Sequence, residues 1–86
     1  MPDQSDPVGD FAADLRQLRR RTGERSMEAL AEDMGRARST VGDLLAGQRF
    51  PSWERVREFL RACCGETTAN RIEPSWHQRW RAPPPR

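Results

Sequence analysis

The side chains best suited to meet a charged partner are fifteen arginines, with no lysine among them. A guanidinium offers a planar fork of donors that fits phosphate, or the paired acceptors of a guanine edge, with two bonds at once. GC-rich coding alone would also give an arginine-only composition. Other chemistry is poorly provided for. Cys63 and Cys64 are neighbours, a spacing at which a disulfide is strained, and there is no third cysteine to pair with. The one histidine, His77, lies far along the chain and there is no CxxC pair, so no metal site is expected. No nucleophile–base arrangement, paired carboxylates or phosphate-cradling glycine loop occurs. Neither an enzyme nor a cofactor is therefore expected.

The chain is short and polar. Its 86 residues are 35% apolar and 33% charged, and the mean hydropathy is -0.95. That allows one small domain with a modest core. Net charge is +2, and Asp3, Asp6 and Asp10 make the first ten residues acidic, leaving +5 on the remainder. No apolar run is long enough to cross a bilayer, and "MPDQSDPVGD" lacks a signal-peptide pattern, so a cytoplasmic location is expected.

Four amphipathic helices can be traced, with a fifth at the end. Residues 1–9 are non-periodic and read as a disordered arm. Asp10 is the expected N-cap of "FAADLRQLRRRTG", whose Phe11, Leu15 and Leu18 share a face. Ser26 caps "MEALAEDM" and Gly35 stops it. A third helix runs from about Arg38 to Ala46, with Gly47 as its stop. Ser52 caps "WERVREFLRACC", where Trp53, Val56, Phe59, Leu60 and Cys63 form a stripe. After Gly65 the pattern is ambiguous until Pro74 or Ser75, which open a short helix carrying Trp76 and Trp80 one turn apart. These tryptophans suit either the completion of a core against the first and fourth helices or a dimer or partner surface. His77 is expected at the surface. The organisation expected is an arm over 1–9, a domain over 10–65, an extension over 66–81 and a proline-rich tail or linker over 82–86. No alternating strand pattern occurs, so the fold class is all-α.

The second and third helices are joined by about four residues, as a helix-turn-helix motif requires. Ala31 is small where the two helices cross closely. Gly35 suits a turn with positive φ. Leu30, Met34, Val41 and Leu44 are apolar and bind the pair to the rest. Arg36 follows the glycine where an apolar residue is usual, and its stem is expected to lie over the core. Ala37 stands where a polar cap is usual. The run "SMEALAEDMGRARSTVGDLLAGQRFPSWERVREFLRACC" resembles the phage-repressor-like, or XRE, family of helix-turn-helix DNA-binding domains. "ALAEDMG", "RSTV", the "GQRFP" turn and the following helix carry the likeness, over roughly residues 10–64. With "SWHQRW" it resembles a variant common in high-GC bacteria.

The resemblance implies a compact four- to five-helix bundle of the lambda-repressor-like type and a sequence-specific contact with double-stranded DNA. If Val41, Leu44 and Leu45 face inward, Arg38, Ser39, Gly42 and Asp43 face outward. In the family these positions enter the major groove and read bases. Arg38 suits guanine and Ser39 many partners; Asp43 either accepts from cytosine N4 or holds Arg38. Phosphate contacts are implied at Arg25, Ser26 and the first amides of the second helix, and at Thr40, Gln48 and Arg49. Met27 replaces a glutamine frequent in the family. The implied role is transcription regulation, alone or as the N-terminal module of a larger protein. A homodimer and an attached or partner protein domain are compatible with the tail. A protein-interaction adaptor that keeps the fold without reading DNA is the alternative, motivated by Gly42, Asp43 and the low net charge.

Overall fold

The computed structural model describes residues 7–81, and of Pro7 the backbone alone. Five helices follow one another: α1 (Pro7–Arg21), α2 (Met27–Met34), α3 (Arg38–Ala46), α4 (Trp53–Cys64) and α5 (Glu66–Arg81). Among the described residues there is no strand, and no helix is long and apolar enough to cross a membrane.

Two helices begin earlier than expected. α1 starts at Pro7, so Asp10 lies within its first turn and is not the N-cap. Proline suits the first helical position because its missing N–H would have no intrahelical partner there, while Asp10 still favours the positive end of the helix dipole. Residues 7–9 of the expected arm are therefore helical, and residues 1–6 and the tail over 82–86 lie outside the described region. α5 starts at Glu66, eight residues before Pro74, and runs through that proline. Ala69, Ile72, Trp76 and Trp80 continue one helical stripe across it, with Ala69 and Trp76 buried. Pro74 itself is exposed, so the carbonyl that loses its N–H partner can be served by water.

All five helices supply the core. Phe11 and Leu15 from α1 meet Leu30, Ala31 and Met34 from α2, Val41, Leu44 and Leu45 from α3, and Val56, Phe59, Leu60, Ala62 and Cys63 from α4. α5 closes the bundle chiefly against α4. Trp76 packs edge-on against Phe11, with ring centroids 5.6 Å apart. Trp80 lies 5.8 Å from Trp53 and 6.3 Å from Phe50, and its Nε1 donates to the Pro51 carbonyl at 2.8 Å. His77 is half-buried rather than at the surface, 4.5 Å from Trp53 and 5.7 Å from Trp80. Burial pushes the Cys63 thiol up to about 11, and the half-buried Cys64 thiol is also raised by burial. Both therefore stay protonated and weakly nucleophilic near neutral pH.

Several arginines act as struts. Arg16 donates to the Leu45 carbonyl in the last turn of α3, and Arg25 donates to the Ala62 carbonyl near the end of α4 at 2.7 Å. Both place a cation and a donor where a helix C-terminus lacks partners. Arg19 Nε reaches the Arg25 carbonyl at 2.7 Å. Arg36 grips Glu58 of α4 with two bonds, 3.1 and 2.9 Å long. Arg79 pairs with Asp14 at 3.2 Å while lying over the Trp76 ring, so it joins α5 to α1.

Gly35 and Gly47 end α2 and α3 in the left-handed region, at φ 69° and 73°, but they differ in their surroundings. A Cβ on Gly35 would meet nothing within 4 Å, whereas one on Gly47 would come within 3.2 Å of the Ala12 Cβ and 3.5 Å of the Gly9 Cα. Gly35→Ala is expected to cost about 1 kcal/mol, the left-handed penalty alone. Gly47→Ala should cost about 2 kcal/mol or more, because α1 must also give way. Denaturant unfolding of both variants checks that order. For Gly35→Val, branching at Cβ raises the strain to roughly 1–2 kcal/mol or above.

Truncation and pH test the remaining joints. Deleting residues 74–86 removes Trp76 and Trp80 and should lower the melting temperature by more than about 10 °C, since losing one buried tryptophan commonly costs about 3 kcal/mol. A truncated domain that melts normally but loses self-association would place these side chains in an interface. The Glu58 carboxyl is held below its usual 4.5, chiefly by the hydrogen bond from Arg36. The folded state thus binds that proton more weakly than the unfolded chain does. The pair's stabilisation is complete above about 4.5 and is lost as pH falls through the lower folded value. Thermal melts between about pH 5 and 3 should therefore show a shallower acid loss in Glu58→Gln than in the wild type.

Candidate nucleic-acid interface

Both ends of α2 are closed by specific hydrogen bonds. Ser26 caps α2, its Oγ accepting from the Ala29 N–H at 3.1 Å. At the other end Gly35 N–H donates to the Glu32 carbonyl at 3.1 Å, and Arg36 N–H to the Ala31 carbonyl at 3.0 Å. This pair of bonds closes the end of a helix that stops at a left-handed glycine. Gly35, Arg36 and Ala37 are the only residues between the helices. Arg36 is exposed, and its charged head is tied to Glu58. Ala37 opens α3 in an extended conformation and contributes no side-chain cap.

α3 divides cleanly into two faces. Val41, Leu44 and Leu45 are buried at 0%, 5% and 6% exposure. Arg38, Ser39 and Asp43 are exposed, and Gly42 is half-buried. The four residues implied as base readers therefore lie on the outer side of one helix. Met27 on α2 reaches toward Gly42, its Cε 3.9 Å from the position a Cβ would take there. Arg38 pairs across to Glu28 of α2 at 3.8 Å. Asp43, the residue expected to hold Arg38 if it did not accept from a base, forms no ion pair among the described residues.

The residues implied as phosphate contacts separate into two groups. Thr40, Gln48 and Arg49 share an open cleft of about 430 Å³ with Asp43, and Ser52 and Arg55 complete its rim. Gln48 and Arg49 are exposed and Thr40 is half-buried. Arg49 forms no ion pair among the described residues. The sequence marks Ser52 only as the cap of α4 and does not mark Arg55. Their signal was the N-cap pattern at "PSWER", which brings the start of α4 beside the end of α3, with Ser52 Oγ accepting from the Arg55 N–H at 3.2 Å. At the opposite end, Arg25 is bonded to Asp33 and to the Ala62 carbonyl, so its guanidinium serves the fold first. Ser26 Oγ is occupied by the cap bond, although its hydroxyl proton remains to donate.

This geometry has a counterpart among known families. A family model described as a helix-turn-helix domain matches residues 10–73, from within α1 to the first half of α5. No curated protein and no solved structure matches the chain. The match spans the capped helix, the glycine turn, the two-faced α3 and the helices that support them. The chain belongs to the helix-turn-helix domain family.

Proposed function

We propose that this domain binds double-stranded DNA in a sequence-specific manner and serves in bacterial transcription regulation, alone or as the N-terminal module of a larger regulatory protein. The observation that carries the reading is the division of α3. A helix whose inner face is fixed by Val41, Leu44 and Leu45 presents Arg38, Ser39, Gly42 and Asp43 on a convex outer face, as major-groove readout demands. The likeness to phage-repressor-like domains supports the same assignment. Arg38 and Asp43 contact base edges, Ser39 a base or phosphate, and half-covered Gly42 lets the helix approach closely. Thr40, Gln48 and Arg49 meet phosphate along the cleft, and Ser26 with the first amides of α2 meets it at the other end. Arg25 meets phosphate at that same end, from a guanidinium already anchored by Asp33 and the Ala62 carbonyl. The compartment is the cytoplasm, and a homodimer on a palindromic site fits such a module.

A second reading has an observation of its own. Glu28 pairs with Arg38 and Asp43 is exposed further along α3, so the outer face of α3 carries both signs of charge. An adaptor that binds a partner protein through this face would not need a cationic surface.

Salt dependence separates the two. With a randomised duplex, affinity for DNA should fall steeply as salt rises, because each neutralised phosphate releases counterions. Arg38→Ala should lower specific affinity by roughly 1–3 kcal/mol and relax preference at one base pair. Arg49→Ala should weaken all sequences alike and flatten the salt slope by about one unit. Asp43→Asn should raise affinity everywhere if the carboxylate only repels phosphate, and should lose discrimination at one cytosine if it accepts from N4. Wild-type protein that fails to bind duplex DNA at low salt would refute the DNA reading and leave the adaptor.

A further inference from the structure

Arg38 is poorly placed on its own helix. It is the first residue of α3, where the helix dipole favours anions over cations, and Ala37 supplies no side-chain acceptor for the end of the helix. Glu28 is well placed on α2, in the first turn behind the Ser26 cap. The two meet across the motif, with Glu28 Oε2 3.8 Å from Arg38 Nη1. Met27, the neighbour of Glu28, approaches Gly42, one turn beyond Arg38 on α3. Thus the first turn of α2 runs alongside the outer face of α3 at two successive points. The paired side chains stay largely in solvent, 67% exposed for Arg38 and 77% for Glu28. An ion pair so exposed does little for stability, and its effect lies in where it leaves the guanidinium.

We propose that Glu28 is a positioning residue for base recognition: its carboxylate holds one edge of the Arg38 guanidinium so that another edge faces the N7 and O6 acceptors of a guanine. This rests on the DNA-binding reading above. A guanidinium carries five N–H donors in a rigid plane, so one edge can be held while another recognises a base. Fixing the side chain beforehand reduces the ordering it must undergo on binding. The carboxylate also repels phosphate oxygens near Arg38, which favours a base edge over the backbone as its partner. Glu28 therefore sharpens discrimination at one base pair while contributing little to total affinity.

The test uses the duplex enriched from a randomised library by the wild-type protein, together with all its single-base-pair variants. Glu28→Gln keeps the shape of the side chain and removes the charge. Preference at the base pair relaxed by Arg38→Ala should fall by roughly 3- to 10-fold in Glu28→Gln, part of what a bidentate contact provides. Affinity for an unrelated duplex should hold steady or rise. In an Arg38→Ala background the same change should no longer alter base preference, a coupling that a merely structural role would not show. If Glu28→Gln shifts every duplex by one common factor and leaves preference intact, Glu28 is only a charge near the backbone. The inference is then overturned while DNA binding stands. If the wild type binds no duplex at low salt, the DNA reading fails and the inference falls with it. Glu28→Ala, with an unchanged melting temperature, guards against a local effect of the glutamine amide.

Discussion

The arrangement of the motif depends on one residue being able to turn left. Gly35 sits at φ 69°, ψ 33°, a conformation that strains a residue with a β-carbon. From there the chain leaves α2, spends three residues in the turn and re-enters a helix. Val41 and Leu44 then point into the core already occupied by Leu30 and Met34. Were the turn to open differently, α3 would lose its inner face and with it the definition of its outer one. Ala31 serves the same constraint from the other side, since its small side chain lets the helices cross closely and its carbonyl receives the Arg36 N–H. The geometry of the outer face is therefore inherited from the turn.

Around this turn the arginines divide their labour. Arg16, Arg19 and Arg25 satisfy backbone carbonyls on other elements, and Arg36, Arg57 and Arg79 pair with carboxylates on neighbouring helices. Individually such surface contacts are weak, but each fixes the angle between two elements that the small core alone holds loosely. Much of the basic composition is thus consumed in holding the bundle. Arg38 and Arg49 stand apart because they project from the edges of α3 and its following loop. Their place beside the outer face of α3, rather than total charge or exposure, distinguishes the candidate interface.

Much of this was legible in the sequence, for identifiable reasons. Glycine stops, serine caps and the apolar spacing of α2, α3 and α4 are local signals, and they located the motif and its inward residues. The start of α1 was missed because Asp10 is a good cap, yet Pro7 is a better first helical residue. α5 was read as half its length because Pro74 suggests a boundary, whereas the stripe from Ala69 to Trp80 outweighs one lost backbone bond. Arg25 and Arg36 were hidden for a different reason. Their partners, the Ala62 carbonyl and Glu58, lie 37 and 22 residues away, and no local spacing announces a contact that only the folded chain brings together. The same holds for Glu28, whose meeting with Arg38 depends on the crossing of two helices. His77 is a related case: one titratable residue without a sequence partner gains two aromatic neighbours once α5 lies on α4.

The position of the aromatic cluster has a spectroscopic consequence. Trp53, Trp76 and Trp80 are the three tryptophans of the chain, and all stand on α4 or α5, with none on α2 or α3. Intrinsic emission is consequently a gauge of how α5 seats on the bundle. Because no indole lies on the outer face of α3, a ligand there would have no tryptophan of that helix to quench. The molecule thus carries a built-in optical report on the seating of its scaffold, from indoles that stand on α4 and α5 alone.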